Sequence, residues 1–368
     1  MAFAVPGDLA TLTGGYAYDR RMIAELEALG WEIDLVNLGD GFPHPGQEQR
    51  KIAQERLAAI PAGRPIVIDG LAFGVLPEVA MQLSPRHLLI ALVHHPLAME
   101  TGLTAAQAGD LLASERAALA TASRVVVTSA TTATLLVVDY GVPDDRIVVA
   151  CPGTDKAPAA HGSADGIVRL LAVGAIVPRK GFDVLIGALA TLTDLPWHLA
   201  IVGDRGRDPE AAAQLDADIM RYGLGSRVAV PGAVSHERLD ELYAGADLFT
   251  LASRYEGYGM VFSEAIAHGL PIVATTAGAI PETVPLGAAM LVAPDDAAAF
   301  AAALRRAIEH PEERRRMAAS ARESALSFPN WQDSAKLFAR ALEAAALRAR
   351  DCFGPPGRRR RHGGSARS

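Results

Sequence analysis

Cysteine is nearly missing from this chain. Two residues, Cys151 and Cys352, among 368 make neither a disulfide framework nor a metal-ligand spacing, a usage that fits a reducing compartment. Long apolar runs are missing too: no stretch approaches the ~20 residues that span a bilayer. The start, M-A-F-A-V-P-G-D, lacks the basic region and apolar core of a secretion signal. The expectation is a cytoplasmic protein, soluble or peripheral at the inner face of a membrane. There is no basic excess. Residues 1–160 hold 11 Lys and Arg against 18 Asp and Glu, and the whole chain carries a net charge of −7, which argues against nucleic acid as a partner. The common phosphate, dinucleotide, zinc and dithiol signatures (G-x4-G-K-[ST], G-x-G-x-x-G, H-E-x-x-H, C-x-x-C) are absent as well.

What is present is an alternation of short apolar runs with amphipathic ones. Half the residues are apolar and 21% charged, enough for two cores, and the length suits two domains of about 150–180 residues. Strands are predicted at 3–5, 31–36, 65–69, 87–93, 124–128 and 147–150, with helices at 16–29, 48–59, 105–122 and 131–140. The pattern lapses over 151–166, rich in proline, glycine and small polar residues, and this is the best linker. It restarts with strands at 167–173, 198–202, 227–230, 247–251, 271–274 and 288–291 and closes with helices at 295–309 and 311–327. Such alternation implies α/β units with mostly parallel, doubly wound sheets. The division is an N-terminal domain, 1–160, a second domain, 166–327, one further helix, 331–350, that could cross back to the first, and a disordered basic tail, 351–368.

The segment 253–264, S-R-Y-E-G-Y-G-M-V-F-S-E, organises the rest. It runs from a strand end through a glycine loop into a helix start, where the first N–H groups lack intrahelical partners and can meet an anion. Two carboxylates bracket it, Glu256 in the loop and Glu264 in the helix. A second constellation, V-G-A-I-V-P-R-K-G-F-D at 173–183, puts Arg179 and Lys180 at the carboxyl edge of a parallel sheet, where such folds bind ligands. Cations, an open helix start and carboxylates suit a ligand with both phosphates and hydroxyls. A nucleotide sugar is such a ligand.

Together these segments resemble the signature of the family-4 (group 1) retaining glycosyltransferases. I-V-G-D at 201–204, P-G-A-V-S-H-E-R-L at 231–239, G-A-I-P-E at 278–282 (Ala279 replacing a glycine) and T-G-G at 13–15 extend the resemblance over nearly the whole chain. It implies a GT-B architecture: two facing Rossmann-like domains with the active site in the cleft between them. By that resemblance Arg179 and Lys180 hold the diphosphate and Glu264 the ribose. Glu256 touches the transferred sugar, and backbone around Gly259, Met260 and Val261 meets phosphate or sugar. Gly14 and Gly15 form a loop near donor or acceptor, and Gly203, Asp204 and Val234 lie beside the nucleotide. The family's histidine near the sugar corresponds to His94 in L-V-H-H-P, with His95 as the alternative.

The implied activity is transfer of a hexosyl group to an acceptor hydroxyl, with retention and without a metal or other cofactor, in synthesis of a cell-envelope polysaccharide or glycolipid. No D-x-D stands at a strand end for a metal; Asp216-Ala217-Asp218 lies in a predicted surface helix. Loops 39–47, 70–77 and 96–104 are expected to face the acceptor, whose chemistry they do not reveal. Arg358–Arg361 could touch a membrane. A sugar-nucleotide 2-epimerase and a non-catalytic binding protein are the competing readings on this fold. Alanine at Lys180 or Glu264 is expected to abolish transfer without unfolding the protein.

Overall fold

The computed structural model describes residues 1–353. Twelve strands are shared between two parallel sheets. In the first, β1 (Ala2–Val5), β2 (Asp34–Asn37), β3 (Ile66–Asp69), β4 (Leu89–Val93), β5 (Arg124–Val127) and β6 (Ile147–Val149) lie in the order β2-β1-β3-β4-β5-β6. In the second, β7 (Val168–Val173), β8 (Trp197–Val202), β9 (Val228–Gly232), β10 (Leu248–Leu251), β11 (Ile272–Thr275) and β12 (Ala289–Val292) lie in the order β12-β11-β10-β7-β8-β9. Strands β3, β4, β10 and β11 are buried along their whole length. Helices cover both faces, so these strands are continuous apolar runs rather than alternating ones.

The first sheet carries α1 (Gly14–Ala28), α2 (Gln47–Ala58), α3 (Gly70–Phe73), α4 (Pro77–Leu83), α5 (Ala105–Leu119) and α6 (Ala130–Val138). The second carries α7 (Phe182–Ala190), α8 (Pro209–Arg221), α9 (His236–Gly245), α10 (Met260–Ala267), α11 (Ile280–Thr283), α12 (Ala297–Glu309) and α13 (Pro311–Ala325). A last helix, α14 (Trp331–Phe353), returns to the first unit. Its Trp331, Ala335, Phe338 and Leu342 recur at helical spacing and join Phe3, Val5, Tyr18 and Met22 in one core cluster. The chain therefore passes between the units twice, and the two passages touch: Gly153 lies against Trp331, and the Thr154 N–H donates to the Pro329 carbonyl at 2.9 Å.

Strand order places the ligand-binding end of each sheet. Each reverses direction once, between β1 and β3 in the first and between β7 and β10 in the second. Connections diverge there and leave a crevice beyond the carboxyl ends of the strands. The ends of β3 and β4 supply Asp69 and His94; the ends of β7 and β10 lead to Lys180 and Glu256.

Four local expectations need correction. Gly14 and Gly15 are not in a loop; they open α1, because the Thr13 side chain caps it by accepting from the Tyr16 N–H at 3.2 Å. The second strand pairs only from Asp34, opposite Ala2, because β1 offers no earlier partner. The supposed loop 70–77 contains α3, begun by the Asp69 carboxylate accepting from the Leu71 N–H, and the first residue of α4. Finally, α14 runs to Phe353, past the expected limit of 350; the remainder of the basic tail, with Arg358–Arg361, lies outside the described residues.

Candidate active site

A cleft of about 980 Å³ opens between the two carboxyl edges and takes its walls from both units. The second unit supplies the charged floor. After β7 the chain turns through Pro178–Lys180 into Gly181, whose φ of 64° only glycine adopts freely, and α7 begins. That turn points Lys180 inward, where its ammonium donates to the Glu256 carboxylate at 2.7 Å. Glu256 comes from the loop after β10, so the pair bridges the point where the sheet reverses. Both are buried, Lys180 at 9% exposure and Glu256 at 5%. The Ser253 hydroxyl donates to the same carboxylate at 2.7 Å, and Arg179 lies 3.4 Å from its other oxygen. Burial would raise the Glu256 carboxyl, but Lys180 and Arg179 hold it below the usual range. Burial pulls the Lys180 ammonium down although Glu256 opposes it.

Arg254 fixes this turn from behind. Its backbone N–H donates to the Arg179 carbonyl at 2.8 Å, and its guanidinium donates to the Pro178 carbonyl at 2.6 Å. The same guanidinium forks onto Asp183 at 2.9 and 2.7 Å and reaches Asp295 at 2.7 Å. A planar fork suits this work, since one group orients three chain segments.

Along the floor, α10 starts at Gly259 and turns its first residues, Met260 and Val261, to the cleft. A helix start leaves N–H groups available for an anion. One turn on, Glu264 also lines the cleft and accepts from the Tyr243 hydroxyl at 2.9 Å. Burial lifts its carboxyl to about 7, against the pull of Tyr243. Gly203, Asp204 and Val234 line the same side.

The first unit supplies the opposite wall, with Gly14, Gly15 and both histidines of the 94–95 pair. The two rings differ in their partners. Nε2 of His94 lies 3.0 Å from Asp19 and 3.5 Å from Asp69, two fully buried carboxylates. Burial would lower this imidazole, but the Asp19 charge and hydrogen bond, aided by Asp69, bring it up to about 10. His95 faces Glu100 at 3.6 Å and the Tyr255 ring, and burial lowers its imidazole. Glu100 also reaches across the cleft to Arg179 at 3.3 Å. Burial opposes its ionisation, yet His95 and Arg179 hold the carboxyl down to about 2.

The residues given donor-site roles from the sequence are thus gathered along one cleft. Asp216 and Asp218 are elsewhere, on α8, engaged with Arg205 and Gln214. Among the described residues, Asp19, Asp69 and His94 bring His, Cys, Asp or Glu ligand atoms within 4.8 Å of one another. Sequence reasoning missed Asp19, Asp69, Glu100, Arg254 and Tyr243. Asp69 was findable as a carboxylate closing the apolar run P-I-V-I-D. Asp19 was findable as a charge on the apolar face of α1, one residue after Tyr18 and three before Met22.

Residues 154–324 match the family model described as "Glycosyl transferases group 1". The chain is 30% identical over 333 residues to an "MMP alpha-(1->4)-mannosyltransferase" of Mycolicibacterium hassiacum, covering 85% of this chain and 78% of that one. Among solved structures it is similar to a sucrose-phosphate synthase from Thermosynechococcus elongatus, with a TM-score of 0.75 at 23% identity over 96% of this chain and 99% of the other. It is also similar to HepE of Anabaena, solved in complex with UDP-glucose, with a TM-score of 0.72 at 19% identity over 94% and 100% of the two chains.

Proposed function

This chain belongs to the group 1 glycosyltransferases and has their GT-B fold; on that premise we propose that it moves a hexosyl group from a nucleoside-diphosphate sugar to an acceptor hydroxyl with retention at the anomeric carbon. The observation that carries this reading is the buried Lys180–Glu256 pair beside Arg179 and the start of α10. Opposite charges there await a ligand that brings both phosphate and hydroxyl groups. A UDP-glucose complex of one structural neighbour and the mannosyltransferase relative support a nucleotide hexose as the donor.

Arg179, Lys180 and the N–H groups at Gly259, Met260 and Val261 take the diphosphate. Glu264 accepts from the ribose, and Glu256 from hydroxyls of the transferred sugar. Breaking the anomeric C–O bond leaves cationic character on the sugar and negative charge on the departing diphosphate. Fixed cations and a helix start aimed at that charge lower the barrier. The leaving phosphate oxygen takes the acceptor proton on the same face, which gives retention. Charge compensation by Arg179 and Lys180 makes a metal ion unnecessary in this scheme.

The acceptor meets the first unit, whose share of the cleft wall includes Leu12, Leu71, Leu103 and Leu111. Those apolar side chains support a lipid-linked or envelope glycan acceptor, reached from the cytoplasmic face of a membrane by peripheral contact. Among the described residues no helix is long and apolar enough to cross a membrane.

The test is turnover of UDP- and GDP-hexoses by the purified chain across an acceptor panel, with product linkage read by NMR. An α-linked product from an α-linked donor is expected. A β-linked product would overturn retention, and full activity of a Lys180→Ala variant would overturn the diphosphate assignment.

A further inference from the structure

Within the transferase reading above, we propose that Asp19 is a positioning residue. With Asp69 it engages Nε2 of His94 and locks the ring, leaving Nδ1–H as a fixed hydrogen-bond donor to the transferred sugar. His94 is therefore not the base that deprotonates the acceptor.

The geometry begins in α1. Gly15 and Asp19 are four residues apart and share one helix face. At Gly15 a side chain is missing where one would crowd the ring: a Cβ would lie 3.2 Å from Cδ2 of His94. The imidazole occupies that slot, with the Tyr18 ring edge-on at 5.3 Å. One turn above the slot, Asp19 is fully buried and places Oδ1 3.0 Å from Nε2. From the end of β3, Asp69 is equally buried. Its Oδ1 is occupied by the Leu71 N–H at 2.8 Å, and its Oδ2 lies 3.5 Å from the same Nε2.

Two buried carboxylates facing one nitrogen are unfavourable unless a proton sits there. A neutral ring protonated only at Nδ1 would present a lone pair to both, and a neutral ring protonated only at Nε2 would leave two buried carboxylates with no positive charge to offset them. The stable arrangement is a charged ring whose Nε2–H donates to Asp19, with the Asp69 carboxylate adding its charge from 3.5 Å. The direction of the shift in His94, up to about 10, has the same cause. The charged and titratable groups against the ring are Asp19 and Tyr18 from α1, Asp69 from β3 and the adjacent His95. Such a ring has no lone pair to offer an acceptor hydroxyl and can only donate.

The sign follows. A histidine whose folded pKa is raised contributes stability that is complete below its unfolded value and is lost as pH rises through the folded one. Across neutral pH the donor stays charged.

The experiment uses the full chain labelled with 15N-histidine, with UDP-glucose and GDP-mannose as donor probes. His94, assigned by loss of its signals in His94→Gln, should keep both ring nitrogens protonated from about pH 6 to 9, where a free imidazole titrates. Asp19→Asn, which removes the charge at constant size, should bring its titration into that range. It should also introduce a matching loss of kcat toward high pH, of about tenfold or more, with donor KM little changed. His94→Gln, still a donor, should retain more activity than His94→Ala. Asp69→Asn serves as the second variant if Asp19→Asn fails to fold. A wild-type His94 that titrates near pH 6.5 would overturn the proposal, as would an Asp19→Asn pH profile matching wild type. So would selective broadening of the His94 signals by Mn2+, which would mark the cluster as a cation site. If neither probe nor any other nucleotide sugar is turned over, the transferase reading falls while the NMR titration still decides the state of His94.

Discussion

Lys180 and Glu256 are each tolerable in the interior only because the other is there. Removing one partner of a buried pair strands the other charge, at a cost of about 3–5 kcal/mol. Lys180→Met and Glu256→Gln should each lower Tm markedly, and the double variant should regain much of the loss while remaining inactive. Thermal melts of the three proteins check this, and additive losses would contradict it. The sequence does not reveal that Lys180 is 9% exposed and its ammonium paired, so this loss of Tm adds to the expectation that alanine there abolishes transfer without unfolding the protein. Glu264 yields a second prediction. Its carboxyl is lifted to about 7 by burial, and only the ionised form accepts from two ribose hydroxyls freely. Donor affinity should therefore rise as pH climbs through 7, and Glu264→Gln should flatten that rise; calorimetric titration of UDP-glucose between about pH 6 and 8 measures it. The same shift has the opposite sign for stability. The folded state holds its proton above the unfolded carboxylate value, so this contribution falls as pH rises from that value through 7.

At the scale of elements, the turn at Pro178–Lys180 is held by Arg254 from outside its own sequence. One guanidinium joins the turn at Pro178, the first turn of α7 at Asp183 and the loop before α12 at Asp295. Arg254→Lys cannot fork, so donor KM should rise by about tenfold with a smaller effect on kcat; steady-state kinetics test this, and an unchanged KM would remove Arg254 from the positioning role. Such contacts mark the limit of what the sequence shows. The sheet-forming runs were legible because buried parallel strands are uniformly apolar, and I-V-I-D and L-I-A-L-V read as strands without ambiguity. The bracket of Glu256 and Glu264 around two glycines was legible as a loop entering a helix. Partners were not. That Arg179 faces Glu100, 79 positions earlier, or that Asp19 meets His94, follows from how two sheets and α1 dock, and no local pattern records it. The start of α1 at Gly14 was missed for a related reason: glycine is a poor helix former, and the cap at Thr13 overrides that preference.

At the scale of the whole molecule, a carboxylate clamp joins the two units beside the cleft. Glu282, in G-A-I-P-E, reaches from the second unit to the start of α6 in the first. Its carboxylate accepts from the Ala130 and Thr131 N–H groups at 2.8 and 2.9 Å and from the Thr131 hydroxyl at 2.9 Å. A carboxylate at a helix start is favourable on charge grounds as well. Glu282→Gln should shift the unliganded protein toward more open forms, visible as a larger radius of gyration in X-ray scattering that saturating donor reverses. An unchanged radius would argue against the clamp. The two chain passages at Gly153 and Trp331 would meanwhile keep the units in register.

Glu100 carries one further consequence. It pairs with Arg179 from the far wall and lies on the segment, 96–104, expected to greet the acceptor. A diphosphate that claims Arg179 must evict this carboxylate, and the evicted segment is then free to rearrange. Arrival of the first substrate is thereby signalled to the berth of the second. Compulsory order, donor before acceptor, should appear in product-inhibition patterns, and Glu100→Gln should relax it toward random order.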